Sequence, residues 1–157
     1  MLIRRMTMED IPSVVAIETQ CFSLPWSEKS FEDSLSREDT IFLVCEENDG
    51  GDDIQTAGDT ASRVTGYVGL YVSFDEASVT NVAVSPEYRK KGYGEALVAA
   101  AKLEAKAAGA ESIFLEVRVS NTPAVSLYKK YGFEELGIRK KFYEHPVEDA
   151  IIMKVGI

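Results

Sequence analysis

Histidine is all but absent from this chain: His145 stands alone among 157 residues. One imidazole cannot build a histidine-rich metal centre, and it argues against a Ser-His-Asp hydrolytic triad, so no metal is expected. Cysteine is nearly as scarce. Cys21 and Cys45 have neither metal-ligand spacing nor the density of a disulfide scaffold, and they read as two reduced core thiols of a cytoplasmic protein. Long apolar runs are missing as well, since stretches such as 41–45 (IFLVC) fall far short of the ~20 residues that cross a bilayer. The opening MLIRRMTMED has no apolar stretch leading to a small-residue cleavage site, so neither a secretory signal nor membrane association is expected. Basic charge is also in deficit, with 17 Lys+Arg against 26 Asp+Glu and a formal net charge of −9. A surface that neutralises nucleic-acid phosphates needs the opposite balance. The expected partner is therefore cationic, and no direct nucleic-acid binding is expected.

What is present is an ordinary globular composition, 45 % hydrophobic and 27 % charged, in a chain long enough for one domain with a sizeable core. Residues 2–6 open a strand. Thr7 and Asp10 have capping-box spacing ahead of Ile11, Val14, Ile17 and Cys21, which predicts a helix over 8–22. Pro25 interrupts, Ser27 caps again, and a short second helix follows. TIFLVCEE at 40–47 is a strand buried on both faces, and 48–62 is a polar Gly/Asp-rich excursion. Strands at 63–73 and 76–84 flank a tight antiparallel turn at 75–76. A helix at 92–108, a strand at 112–119, a helix at 121–131 and strands at 134–143 and 148–155 complete the order. Meander strands mixed with crossover helices give an α/β (α+β) class, with a central sheet partly antiparallel and partly parallel, about seven strands flanked by about four helices.

One strand carries a phase slip. In ASVTNVAV the apolar residues Ala77 and Val79 are odd, whereas Val82 and Val84 are even. Either a β-bulge near Thr80–Asn81 shifts the pattern, or the strand is buried on both faces and parity has no meaning. After it comes YRKKGYGEAL, with a basic cluster and two glycines directly before an alanine-rich helix. Glycine tolerates positive φ and close approach, and the first N–H groups of a helix lack internal partners, so such a turn can cradle a pyrophosphate. A flexible turn with solvated lysines is the plainer alternative. A P-loop is excluded, because Gly94 is followed by Glu95-Ala96, and a dinucleotide fingerprint is excluded by Leu97 where a third glycine belongs.

VAVSPEYRKKGYGEAL resembles the acetyl-CoA-binding motif of the GNAT N-acetyltransferases, R/Q-x-x-G-x-G/A, with Arg89, Gly92 and Gly94 at its marked positions. The resemblance implies the GNAT fold and a single acetyltransferase domain over 1–157. It also implies that main-chain groups of Val82, Ala83 and Val84 hold the acetyl and pantetheine part of acetyl-CoA. Residues 90–95, that is Lys90, Lys91, Gly92, Tyr93, Gly94 and Glu95, would wrap the pyrophosphate.

Further on, Phe114, Glu116 and Arg118 share one face of the 112–119 strand, opposite Ile113, Leu115, Val117 and Val119. A mid-strand carboxylate is either on a wetted sheet face or kept for a task. Asn121 is a good N-cap with Pro123 in the first turn, and Tyr128 lies two turns on along the same helix face. Tyr128 is either a half-buried helix tyrosine or, beside a coenzyme thiol, an acid for a departing thiolate. LEVRVSNTPAVSLYKKYGF, IRKKFY, EDAIIM and FSLPWSEKSF resemble the RimI-type subfamily, the ribosomal-protein-alanine N-acetyltransferases. By motif position that resemblance implies Glu116 as general base, Tyr128 as general acid and Asn121 as a cofactor contact. It implies a peptide groove with Phe22, Trp26 and Tyr143, although Phe22 and Trp26 serve equally well as core anchors. The substrate it implies is a basic protein N-terminus beginning with alanine, from a small-subunit ribosomal protein. Acetylation of a small amine or a lysine, and a non-catalytic acyl-CoA-binding module, are the alternatives.

Overall fold

The computed structural model describes residues 1–47 and 63–157, and the expected 48–62 excursion lies outside the described residues. Two apolar runs set the middle of the sheet. β2 (Thr40–Glu47) and β3 (Arg63–Ser73) each bury six residues in succession, as strands covered on both faces must. Around them lie β1 (Leu2–Arg5), β4 (Glu76–Val84), β5 (Ser112–Arg118), β6 (Glu134–Tyr143) and β7 (Glu148–Gly156), in the order β1-β2-β3-β4-β5-β7-β6. Every neighbouring pair is antiparallel except β4 and β5, which run parallel. Four helices flank this mixed sheet: α1 (Ile11–Cys21), α2 (Glu28–Leu35), α3 (Tyr93–Ala107) and α4 (Thr122–Lys130).

The helices begin where the capping side chains stand. Ser27 Oγ accepts the Ser30 N–H at 3.2 Å, and Asn121 Oδ1 accepts the Ala124 N–H at 3.3 Å. The first expected helix is divided: Met8–Asp10 is a 3₁₀ turn, and α1 begins only at Ile11. Asp10 accepts the Thr7 N–H and an Arg4 N–H, each at 2.8 Å, which ties this turn to β1. The β3–β4 turn is also displaced from 75–76, since Phe74 and Asp75 form it and Glu76 already belongs to β4.

Packing on the two faces differs. α1 and α2 cover one face through Val14, Ile17 and Phe31 against Phe42, Val44 and Tyr67. α3 and α4 cover the other through Leu97, Val98 and Val125 against Leu43, Val68 and Leu115. β4 serves both layers because of its bulge. Gly69 pairs with Asn81 but Leu70 pairs with Val79, leaving Thr80 as the extra residue. Ala77, Val79, Val82 and Val84 therefore all meet the α3 layer, whereas Ala83 meets the α1 layer. The phase slip in the sequence is a real bulge.

Opposite the bulge, neighbouring side chains fill the space beside the Gly69 backbone. A Cβ on Gly69 would lie 2.4 Å from a Phe42 ring carbon and 2.7 Å from Thr80 Oγ1. Gly69→Ala is expected to cost ~1–3 kcal/mol, as overpacking of a well-filled core does. Thermal unfolding checks it, and an unchanged midpoint would show that the bulge tolerates the methyl group.

Candidate active site

β4 and β5 are paired only at their first residues, Glu76–Ser78 with Ser112–Phe114. Beyond that the strands part, and a cleft of about 680 Å³ opens between Val79–Val82 on one wall and Leu115–Arg118 on the other. The end of α1 and the segment after it, with Cys21, Phe22 and Trp26, close one side. The β6–β7 hairpin, with Tyr143, closes the other. The parting strips β4 of its parallel neighbour along Val79–Val84, so this stretch presents a sheet edge inside the molecule among the described residues.

Glu116 points into this cleft because β5 alternates. Its neighbours Leu115 and Val117 belong to the α3 layer, which turns Glu116 to the other face, where its side chain is 31 % exposed. Arg139 of β6 stands beside it, with Nε 3.7 Å from Glu116 Oε1. Tyr128 reaches the same cleft from α4, on the far layer, and is 5 % exposed. Burial, with Tyr143 adding to it, pushes the Tyr128 phenol well above its ordinary value, so it stays protonated through the neutral and alkaline range. Tyr143 is pushed up to about 12, by burial first and by the Glu116 charge second. Arg118 fixes the hairpin that carries Tyr143: its guanidinium donates to Pro146 O at 3.0 Å and Glu144 O at 3.2 Å, and lies 4.3 Å from the Tyr143 ring centroid.

The glycine turn sits at the open end of β4. Gly92 is the N-cap of α3 with φ 88, and Lys90 also takes a left-handed φ of 61. A glycine adopts this at no steric cost; a lysine does so only where the surrounding turn dictates it. Gly94 follows in the first turn of α3. Lys90 and Lys91 are exposed, whereas the Arg89 side chain folds back, donating from Nε to Val84 O at 3.2 Å and from Nη2 to Cys21 Sγ at 3.2 Å. Tyr93 is buried with its hydroxyl on Glu47, and Glu95 forms a surface ion pair with Lys130 Nζ at 2.9 Å, so both side chains have partners within the fold. An internal sheet edge, a left-handed turn with three basic residues and the amides opening α3 together fit an extended thioester ending in a pyrophosphate.

Of the residues singled out in the sequence, Glu116, Tyr128, Asn121, Val82, Phe22, Trp26 and Tyr143 all line this one cleft. Trp26 packs as a core anchor, with its ring 5.3 Å from Phe31 and 6.3 Å from Phe42, and it also borders the cleft. Phe22 is 39 % exposed and is no core anchor. Cys45 is a buried thiol as expected, but Cys21 is not: it is half-buried at the end of α1 and borders the cleft. The helix that carries it runs into an open site rather than under a packed face. Glu18, Asn81, Arg118 and Arg139 were not singled out. Their roles come largely from contacts between distant segments, such as Arg139 with Glu116, Arg118 with Glu148 and Glu18 with Asn81, and no local spacing marks them.

A sheet that opens between its fourth and fifth strands, with a bulged wall and a glycine turn leading into a helix, defines an acyl-transfer fold. The chain belongs to the acetyltransferase (GNAT) family, whose model matches residues 11–133. A Bacillus subtilis (strain 168) protein named "Putative [ribosomal protein bS18]-alanine N-acetyltransferase" is 39 % identical over 155 residues, covering 99 % of this chain and 95 % of its own. The ribosomal protein bS18-alanine N-acetyltransferase of Escherichia coli (strain K12) is 32 % identical over 150 residues, covering 94 % and 92 %. The crystal structure of the ribosomal-protein-S18-alanine N-acetyltransferase from Escherichia coli superposes with a TM-score of 0.82 at 31 % identity, over 99 % of this chain and 93 % of that one. No helix among the described residues is long and apolar enough to cross a membrane.

Proposed function

We propose that this acetyltransferase moves the acetyl group of acetyl-CoA to the N-terminal α-amine of a ribosomal protein that begins with alanine. The observation that carries the reading is the convergence of Glu116 and Tyr128, from opposite layers of the sheet, on one cleft whose β4 wall offers an unpaired edge. The named activity of the Bacillus subtilis and Escherichia coli relatives supports the choice of substrate. Glu144 and Glu148 join Glu116 and Glu18 around the cleft, with Arg118 among its lining and Arg139 beside Glu116, an acidic excess among the described residues that suits an ammonium and a basic chain behind it.

Acetyl-CoA supplies an activated thioester when bound, and Val82–Val84 and the 90–95 turn would hold it through main-chain groups and positive charge. Asn121 would contact it from the start of α4. Glu116 takes the proton from the approaching amine, directly or through water, because only the neutral amine is a nucleophile. Amides of the bulged strand would donate to the thioester carbonyl of the bound donor, where negative charge develops as the amine attacks. Tyr128 gives its proton to the departing sulfur. Neither cysteine takes part, because attack is direct and no acyl-enzyme forms. Phe22, Trp26 and Tyr143 would border the peptide.

Incubation with acetyl-CoA and ribosomal proteins, followed by mass spectrometry of the N-termini, tests the reading. Acetylation confined to one alanine N-terminus is expected. Turnover only on small amines or lysine side chains would overturn it, and the absence of any CoA release would point to a non-catalytic module. Acid-to-base attraction predicts a peptide KM that rises several-fold between about 50 and about 500 mM salt, as screening shortens the reach of the charges. A KM flat over that range would remove electrostatic steering.

A further inference from the structure

A polar cluster at the floor of the cleft takes no part in the acid–base scheme. Glu18 of α1 is 2 % exposed. Its Oε1 accepts the Trp26 N–H at 3.1 Å and lies 3.4 Å from Asn81 Nδ2, and its Oε2 accepts the Tyr67 hydroxyl. Burial pushes the Glu18 carboxyl up, and the Trp26 and Asn81 hydrogen bonds pull against it. Asn81, 7 % exposed, stands directly after the extra residue of the β4 bulge and lines the cleft. A carboxylate only accepts, so the amide nitrogen of Asn81 is the atom turned to Glu18, and that fixes Oδ1 on the other side. Oδ1 has no hydrogen-bond partner among the described residues. A buried amide oxygen left without a partner destabilises the fold, and its place beside the reaction cleft points to a partner that arrives with the substrate.

We propose that Asn81 Oδ1 accepts a hydrogen bond from the α-amino group of the substrate, with Glu18 as the positioning residue that holds the amide in that orientation. The inference rests on the N-terminal acetylation reading above. Asn81 immediately precedes Val82–Val84, the stretch assigned to the acetyl arm, and occupies the wall opposite Glu116. An amine entering between them meets two acceptors of different kinds. Glu116 takes a proton; the neutral oxygen of Asn81 holds a second N–H without competing for that proton, which turns the lone pair toward the thioester carbonyl.

The test compares binding of a basic alanine-starting peptide with that of its des-amino analogue, in which a propionyl cap replaces the alanine. Both are titrated calorimetrically into the enzyme–CoA complex, where no acetyl is present to react. In the wild type, loss of the amino group is expected to weaken binding about tenfold more than it does in Asn81→Ala, the coupling of one hydrogen bond to a charged group. An equal penalty in both proteins overturns the inference, because a merely structural asparagine would not distinguish the two peptides. CoA affinity, measured alongside, is expected to stay within about twofold in Asn81→Ala; a large fall would instead assign Asn81 to the coenzyme and likewise overturn it. Glu18→Ala, which removes the acceptor that holds the Asn81 amide, is expected to lose most of the same coupling, whereas Glu18→Gln, whose amide oxygen can still accept from Asn81, is expected to keep it; full coupling in Glu18→Ala would take Glu18 out of the positioning role. Wild-type turnover of the alanine peptide is recorded first, so a failure of the N-terminal acetylation reading is seen separately.

Discussion

Replacing Glu116 by Gln is expected to lower kcat on the peptide by about 10²–10⁴-fold, the usual worth of a positioned base. Acetyl-CoA affinity stays unchanged, because the glutamine keeps the shape of the side chain and the coenzyme is assigned to β4 and the glycine turn. The size of the loss depends on pH. Near pH 7 much of an α-amine, with a pKa of about 7.7–8.0, is protonated and needs a base before it can attack. As the pH rises through that range the substrate arrives already neutral, so the deficit of Glu116→Gln narrows with increasing pH. Stopped-flow detection of CoA thiol at several pH values reads both features. Wild-type turnover in the variant would take Glu116 out of the mechanism, and a deficit constant across pH would assign it to holding the substrate. Arg139, 3.7 Å away, bears on the same experiment, since it loses its ion pair in the variant. A thermal melt within a few degrees of wild type separates that effect from chemistry.

Tyr128→Phe is expected to cost kcat about 10²-fold, toward the lower end of acid–base effects, because a thiolate is a better leaving group than an amide nitrogen or alkoxide. The substitution removes one oxygen and keeps the ring contact with Phe133, whose centroid is 5.6 Å away, so the fold is conserved. Burial holds the Tyr128 phenol protonated well beyond its ordinary titration range. An acid group with a raised pKa is lost only above that pKa. Wild-type kcat should therefore show no fall between about pH 8 and about pH 10, where an ordinary tyrosine would begin to ionise. A pH–rate profile that drops in that window, or a variant with undiminished turnover, would assign the leaving-group proton to another donor. Tyr143, pushed up to about 12 and bordering the same cleft, is the next candidate in the second case only, since it too stays protonated through that window.

Much of this site could be read from short segments. The bulge was legible because four small apolar residues straddle it, and only an inserted residue puts Ala77, Val79, Val82 and Val84 on one layer. The glycine turn was legible because backbone conformations near φ 88 leave a residue signature. Helix starts showed through Ser27 and Asn121, whose side chains bond three residues on. What local spacing could not reveal is the polar geometry built between segments. Glu18 and Asn81 are 63 residues apart, and although the phase slip drew notice to Asn81 as part of a bulge, nothing local pairs it with Glu18. Arg139 sits in a run of three basic residues on an exposed edge strand, and nothing in the run says that one of them faces Glu116. Cys21 was misjudged because helical spacing places it with Val14 and Ile17, whereas the helix ends there, beside an opening that only the tertiary arrangement creates.

The short pairing between β4 and β5 leaves the sheet as two leaves joined at one end, like a book held by the bottom of its spine. On the reading offered above, the arm of the acyl donor lies between the leaves and supplies the missing strand. The molecule consumed in each cycle would then also be a structural member, and the two leaves would stay bridged from the arrival of the acyl donor until the spent coenzyme departs.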